Sequence, residues 1–188
     1  KGATIKQEPD GHWNVIFVCQ LELPDGAPTC DRPIGIDTGL ESFTTLSTGD
    51  KVAPPKFYRK SERKLKRLQR QLSRCKLTSN RRKKVKKRVS NCHTKIRNQR
   101  SDWLHKLSTQ LIRRYDTICV EDLNLEKLMR TKLAKSFSDA AIGTFIRMLA
   151  YKAKPAYGQL IKVGRFFAST KTCSNTGCQH KQSLSLSD

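Results

Sequence analysis

Apolar positions recur with two different periods along this chain, and the change of period divides it. Trp13 to Leu23 holds the longest apolar run, Val15-Ile16-Phe17-Val18-Cys19, between the turn signals Pro9-Asp10-Gly11 and Pro24-Asp25-Gly26. Pro33 to Leu40 reads as a short buried strand ending at Asp37. Phe43–Leu46 and Lys51–Ala53 follow as two more strands around a Ser47–Asp50 turn, which makes a β-meander. After Pro54-Pro55 the period becomes helical. Leu65, Leu68, Leu72 and Cys75 share one face of a first helix. Val85, Val89, Cys92, Ile96, Gln99, Trp103 and Leu107 then step by 4, 3, 4, 3, 4 and 4 along a second, a near-heptad seam. Thr78-Ser79-Asn80 supplies its N-cap candidates. Two helices with a short connection and one apolar stripe each predict an antiparallel hairpin. The strand period returns at Tyr115–Val120, before Glu121-Asp122, and again at Leu160–Val163. Between them, Ser136 or Ser138 is placed to cap a helix carrying Ile142, Phe145, Ile146 and Leu149.

Charge sharpens this division. The 188 residues hold 38 Lys+Arg against 16 Asp+Glu, a net +22. From Lys56 to Arg100 there are 20 Lys+Arg and one acid, Glu62, so this stretch carries +19 of the total. Like charges at i,i+4 destabilise a helix, so a face this basic calls for a compensating polyanion, chiefly nucleic acid. Lys64, Arg67, Arg70, Arg74, Arg81, Arg82, Lys83, Lys84, Lys86, Lys87 and Arg88 are the candidate contacts. Such a balance argues against most small-molecule metabolic enzymes. No stretch approaches the roughly 20 apolar residues of a membrane span. Seven cysteines, five of them scattered singly, fit free thiols in a reducing compartment better than a disulfide framework. The chain begins at Lys1 and reads as a piece of a longer protein.

Three features could carry chemistry. Asp37 and Glu121 each end an apolar strand, and on neighbouring strands their carboxylates could share divalent cations; Mg²⁺ takes one or two carboxylates plus phosphate oxygens. The competing reading of each is an ordinary turn or cap residue. Cys173 and Cys178, separated by four residues, have the spacing of half a zinc site, but no second pair follows and His180 lies too close to serve easily as a third ligand.

Several strings together resemble one family: Gly35-Ile36-Asp37-Thr38-Gly39-Leu40, Arg70-Gln71-Leu72-Ser73-Arg74, Asn98 to Ser108, Val120-Glu121-Asp122-Leu123-Asn124-Leu125, Leu133-Ala134-Lys135-Ser136, Tyr151-Lys152-Ala153 and Arg165 to Ser174. In this order and over nearly the whole chain, they are similar to the transposon-encoded TnpB nucleases, also known as OrfB-type transposases, relatives of the type V CRISPR effectors. The resemblance implies an α/β, RNase H-like (RuvC) mixed sheet with an inserted basic antiparallel helical hairpin. It implies three regions: 1–33, the tail of a preceding β-barrel that grips nucleic acid; 34–168, the RuvC-like domain with its helical insert at 56–114; and 169–188, the first half of a zinc knuckle. It also implies a guide RNA from the transposon end, a DNA target, Mg²⁺ at Asp37 and Glu121, Zn²⁺ at Cys173 and Cys178, and a prokaryotic, cytoplasmic, nucleoid-associated setting. The family pattern continues past Asp188 with a second cysteine pair and a third acid. The expectation is therefore a fragment of an RNA-guided DNA endonuclease; the alternative is a nuclease-inactive nucleic-acid-binding remnant or a repurposed RNA-guided DNA binder.

Overall fold

The structure is a computed structural model that describes residues 2–20, 32–154, 158–164, 178 and 180, the Leu125 side chain excepted. Its centre is a five-stranded mixed sheet. The strands are β3 (Pro33–Thr38), β4 (Thr44–Leu46), β5 (Lys51–Val52), β6 (Thr117–Glu121) and β7 (Gln159–Val163), in the order β5-β4-β3-β6-β7. The antiparallel meander expected from the sequence forms one side, and β6 and β7 add in parallel on the other. Parallel neighbours need a crossover. Helices supply both: α1 (Phe57–Ser73) and α2 (Asn80–Arg114) lie between β5 and β6, while α3 (Leu125–Met129), α4 (Ala134–Ala140) and α5 (Ile142–Ala153) lie between β6 and β7.

The sheet buries one face. Ile34 and Ile36 of β3 stand opposite Ile118 and Val120 of β6, and all four are buried. Leu104, Leu107 and Leu111 of α2 and Phe145, Met148 and Leu149 of α5 cover them. Phe43 is fully buried at the centre, edge-on to Trp103 (4.7 Å) and Phe145 (5.1 Å). Complete burial of a side chain this size contributes about 1.5–3 kcal/mol. At the entry to β7, Gly158 is demanded by space: a Cβ there would lie 2.8 Å from the Asp116 carbonyl oxygen.

The α2 seam does not run unbroken, because the helix serves two partners. Cys92 and Ile96 pack with Leu65 and Leu68 of α1 in a second, smaller core. Leu104 to Leu111 belong to the sheet core. Gln99, between the two, is exposed. Ser79 is the observed N-cap, its hydroxyl accepting from the Arg82 N–H at 3.1 Å. The expected single helix after Ser136 or Ser138 is instead α4 and α5, broken at Ala141 in the left-handed region (φ 54°), and neither serine caps it.

Residues 2–20 hold a separate antiparallel pair, β1 (Ala3–Gln7) with β2 (Trp13–Phe17). Only β2 was legible in the apolar pattern. Ile5, Trp13, Val15 and Phe17 fall on one face of this pair, and all are exposed. Cys19, Cys75, Cys92, Cys119 and Cys178 are free thiols. Among the described residues no helix is long and apolar enough to cross a membrane.

Candidate acid pair and nucleic-acid interface

The parallel register of β3 and β6 sets the geometry of the two strand-end acids. The last registered pair is Ile36 with Val120, both buried on the helix-covered face. One residue further along each strand stand Asp37 and Glu121. Side chains alternate faces, so these two carboxylates leave the sheet on its other face, on strands about 4.8 Å apart. Both are exposed. Their backbones are held from outside, Asp37 opposite Thr45 of β4 and Glu121 opposite Val163 of β7. The chain turns at once after each acid: the Gly39 N–H donates to Phe43 O (3.3 Å) and the Leu123 N–H to Glu121 O (3.0 Å). This donor set suits a hard divalent ion that completes its shell with phosphate and water oxygens. Among the described residues no group of three or more His, Cys, Asp and Glu side chains forms a closed metal site. Of the expected zinc half-site, Cys178 is exposed and Cys173 lies outside the described residues.

The basic residues sort into distinct positions. A cleft of about 1160 Å³ runs along α1 and the start of α2, lined by Arg67, Arg70, Arg74, Arg81 and Arg88 with Arg63, Lys66 and Lys76. Arg63, Arg67, Arg70 and Arg74 step by 4, 3 and 4, a single stripe of α1 about 16 Å long. That length matches about five phosphates of one DNA strand at 3.4 Å each. Lys64 lines a smaller cleft with Arg88 and Lys95. Lys83, Lys84, Lys86 and Lys87 are exposed on α2. Arg82 turns inward, and its guanidinium donates to Leu72 O (3.0 Å) and Cys75 O (3.4 Å), closing the C-terminal end of α1. Arg63, Lys66 and Lys76 were not singled out from the sequence, although the four-residue step from Arg63 to Arg67 signals the shared stripe.

Sequence reasoning also missed the contacts that hold α1 to the scaffold. Glu62 accepts from Lys135 of α4 and pairs with Lys66 (3.0 Å) and Arg59 (3.6 Å). The Lys135 hydrogen bond, followed by Lys66, lowers its pKa to about 2. Asp139 of α4 accepts from the Tyr58 N–H (3.0 Å) and Arg59 N–H (3.4 Å), capping an α1 N-terminus that has no side-chain cap of its own. Across the α1–α4 contact the partners stand 73 to 81 residues apart, beyond the reach of any local pattern.

Fold and site together define an α/β protein with a strongly basic helical pair and two acids at adjoining strand ends. The chain belongs to the OrfB_IS605 family, described as a probable transposase, whose model matches residues 17–132; a Cas12f1-like TNB domain model matches residues 143–187. A Streptomyces pristinaespiralis protein named "Putative RNA-guided DNA endonuclease" is 38% identical over 93% of this chain and 43% of its own length. The Escherichia coli K12 protein named "Putative RNA-guided DNA endonuclease InsQ" is 29% identical over 98% of this chain and 50% of its length. The chain thus spans about half the length of the curated relatives it matches. Among solved structures, a chain of the Cas12f1–sgRNA–target DNA complex aligns with a TM-score of 0.52 at 15% identity, covering 95% of this chain and 45% of that one, a likeness of fold.

Proposed function

We propose that this chain is the nuclease-bearing part of a TnpB-type RNA-guided DNA endonuclease, with an RNase H-like (RuvC) sheet and a divalent-metal site at Asp37 and Glu121. The observation that carries the reading is the β3–β6 register, which sets the two acids side by side at the ends of adjacent parallel strands. Mg²⁺ bound there would supply charge compensation for a scissile phosphodiester and activate the attacking water. Asp37 and Glu121 would hold the metal from one side and leave its other positions open to phosphate oxygens. The cleft along Arg63, Arg67, Arg70 and Arg74 would hold the nucleic-acid backbone, its cations replacing condensed counterions. The relatives' names supply the partner classes, a guide RNA and a DNA target. The transposon end as source of the guide, and zinc at Cys173 and Cys178, stay with the family resemblance.

The test of the acid pair is Mn²⁺ added to the isotopically labelled chain. Paramagnetic broadening is expected first at the amides of residues 36–38 and 120–122, and Asp37→Asn or Glu121→Gln should remove it. Broadening elsewhere, with these amides untouched, would overturn the assignment. In a relatives-length polypeptide containing this sequence, the same substitutions should abolish Mg²⁺-dependent guided cleavage.

A further inference from the structure

The basic surface of α2 is not all available to nucleic acid. Thr94 lies two residues from both Cys92 and Ile96, which pack toward α1, so it sits about half a turn away, on the back of the helix. Lys87, Thr94 and Arg97 form a stripe there. The turn between β1 and β2 rests on this stripe. Glu8 accepts from Arg97 at 3.0 Å and pairs with Lys6 at 3.3 Å. Asp10 is 4% exposed, buried beside Thr94, and its carboxylate accepts from the His12 N–H at 3.1 Å. Gly11 (φ 94°) brings the backbone close enough that a Cβ there would lie 4.0 Å from the Lys87 ammonium nitrogen. The β1–β2 turn thus brings two carboxylates against the back of α2.

We infer that the acidic β1–β2 turn makes the nucleic-acid surface of the helical pair one-sided. It occupies the Lys87–Arg97 stripe on the back of α2 and confines a nucleic-acid backbone to the cleft lined by Arg67, Arg70 and Arg74. This inference rests on the polyanion-binding reading of the helices. A phosphate approaching Arg97 must displace a carboxylate already paired with it, and the acids repel the rest of the strand. Among the described residues no carboxylate lines the cleft or pairs with Arg67, Arg70 or Arg74: Glu62, the sole acid of residues 56–100, is held at the base of α1 by Lys135 and Lys66.

The test is the salt dependence of binding to a fluorescent DNA duplex of random sequence. Each phosphate-contacting cation adds about 0.9 to the slope of log K against log salt. Glu8→Gln keeps the side chain's shape and an oxygen that can still accept from Arg97, but removes the negative charge that competes with phosphate for Arg97. Its slope should steepen by about 0.9. The double variant Glu8→Gln/Arg97→Gln should return to the slope of the unaltered chain. Asp50→Asn, which removes an exposed acid on the β4–β5 turn, should leave the slope unchanged. Equal slopes for the unaltered chain and Glu8→Gln, with strong salt dependence in both, would overturn this inference alone. So would an equal steepening by Asp50→Asn, which would reduce the effect to net charge. Binding insensitive to salt in all variants would overturn the polyanion reading and the one-sided surface with it.

Discussion

At the scale of single residues, the acids of this basic chain matter because they are few. Glu62 is the sole carboxylate in a segment of +19, and it is spent on Lys135, Lys66 and Arg59 rather than on solvent. Its pKa of about 2, held down first by the Lys135 hydrogen bond, lies below its ordinary 4.5. A carboxylate whose folded pKa is depressed contributes stability that is present above the unfolded pKa and lost as pH falls through the folded one. The loss attributable to Glu62 therefore falls between about pH 4.5 and pH 2. Asp10, also lowered to about 2 from 3.8, adds a loss of the same sign in the lower part of that window. Thermal midpoints followed by circular dichroism from pH 6 to pH 2 should fall steeply through this range in the unaltered chain. Glu62→Gln should start from a lower midpoint at pH 6 and show a shallower decline, because it has no charge to lose. A decline identical in the two proteins would mean that the Glu62–Lys135 contact contributes nothing in solution.

Among the elements, α1 shows what a helix needs when its own sequence ends it badly. Pro54-Pro55 stops the meander, and the next residue, Lys56, is forced into the left-handed region (φ 51°, ψ 43°) as the N-cap. That conformation costs a residue with a Cβ roughly 1–2 kcal/mol, and glycine nothing comparable. Lys56 is exposed and makes no cap bond, so little is lost with its side chain. Lys56→Gly should raise stability by about 1 kcal/mol, read as a higher urea midpoint at unchanged m-value. A lower midpoint would place the benefit of Lys56 in its side chain instead. The contrast with Ser79, which caps α2 and is one of the three candidates in Thr78-Ser79-Asn80, marks what a sequence can convey. Local signals, the strand period of β3 and β6, the helical period of the insert and the Ser79 cap, were legible because the responsible atoms lie within a few residues. The β1 strand was not, since Ala3-Thr4-Ile5-Lys6-Gln7 has one large apolar side chain and its partner face is uncovered. The break at Ala141 was hidden because alanine, a strong helix former, gives no sign of a left-handed residue. Asp139 could not be read as the cap of α1 because it is 81 residues from Tyr58. The candidacy of Asp37 and Glu121 was legible as acids at strand ends; their adjacency depended on the parallel register, which only the fold supplies.

For the whole molecule, the division of charge and the division of packing coincide. The near-neutral sheet region holds the larger core, while the helical pair is tied together by a small core of Leu65, Leu68, Cys92 and Ile96 under a surface of Lys and Arg. A core of that size must hold the pair against mutual repulsion of like charges, so the helices gain from a polyanion that neutralises them. Two consequences follow for one experiment. Binding should be steeply salt-dependent: with six phosphate contacts at about 0.9 each, affinity falls roughly 10³-fold between 50 and 200 mM salt. Binding should also protect the helical pair, since a ligand that meets only the folded state stabilises it by mass action. Reversing Arg70, Arg74 and Arg81 to Glu removes three cations from the cleft and adds three anions, without touching Leu65, Leu68 or the inward-facing Arg82. That variant should bind duplex DNA and RNA of any sequence at least about tenfold more weakly at low salt, with a slope shallower by about 2.7. It should also lose the DNA-induced rise in thermal midpoint. Its midpoint without DNA should equal or exceed that of the unaltered chain, because the self-repulsion of the cleft is relieved. If the reversed variant bound as tightly and as salt-dependently as the unaltered chain, the nucleic acid would lie elsewhere on the molecule, and the cleft along α1 would be a solvated groove.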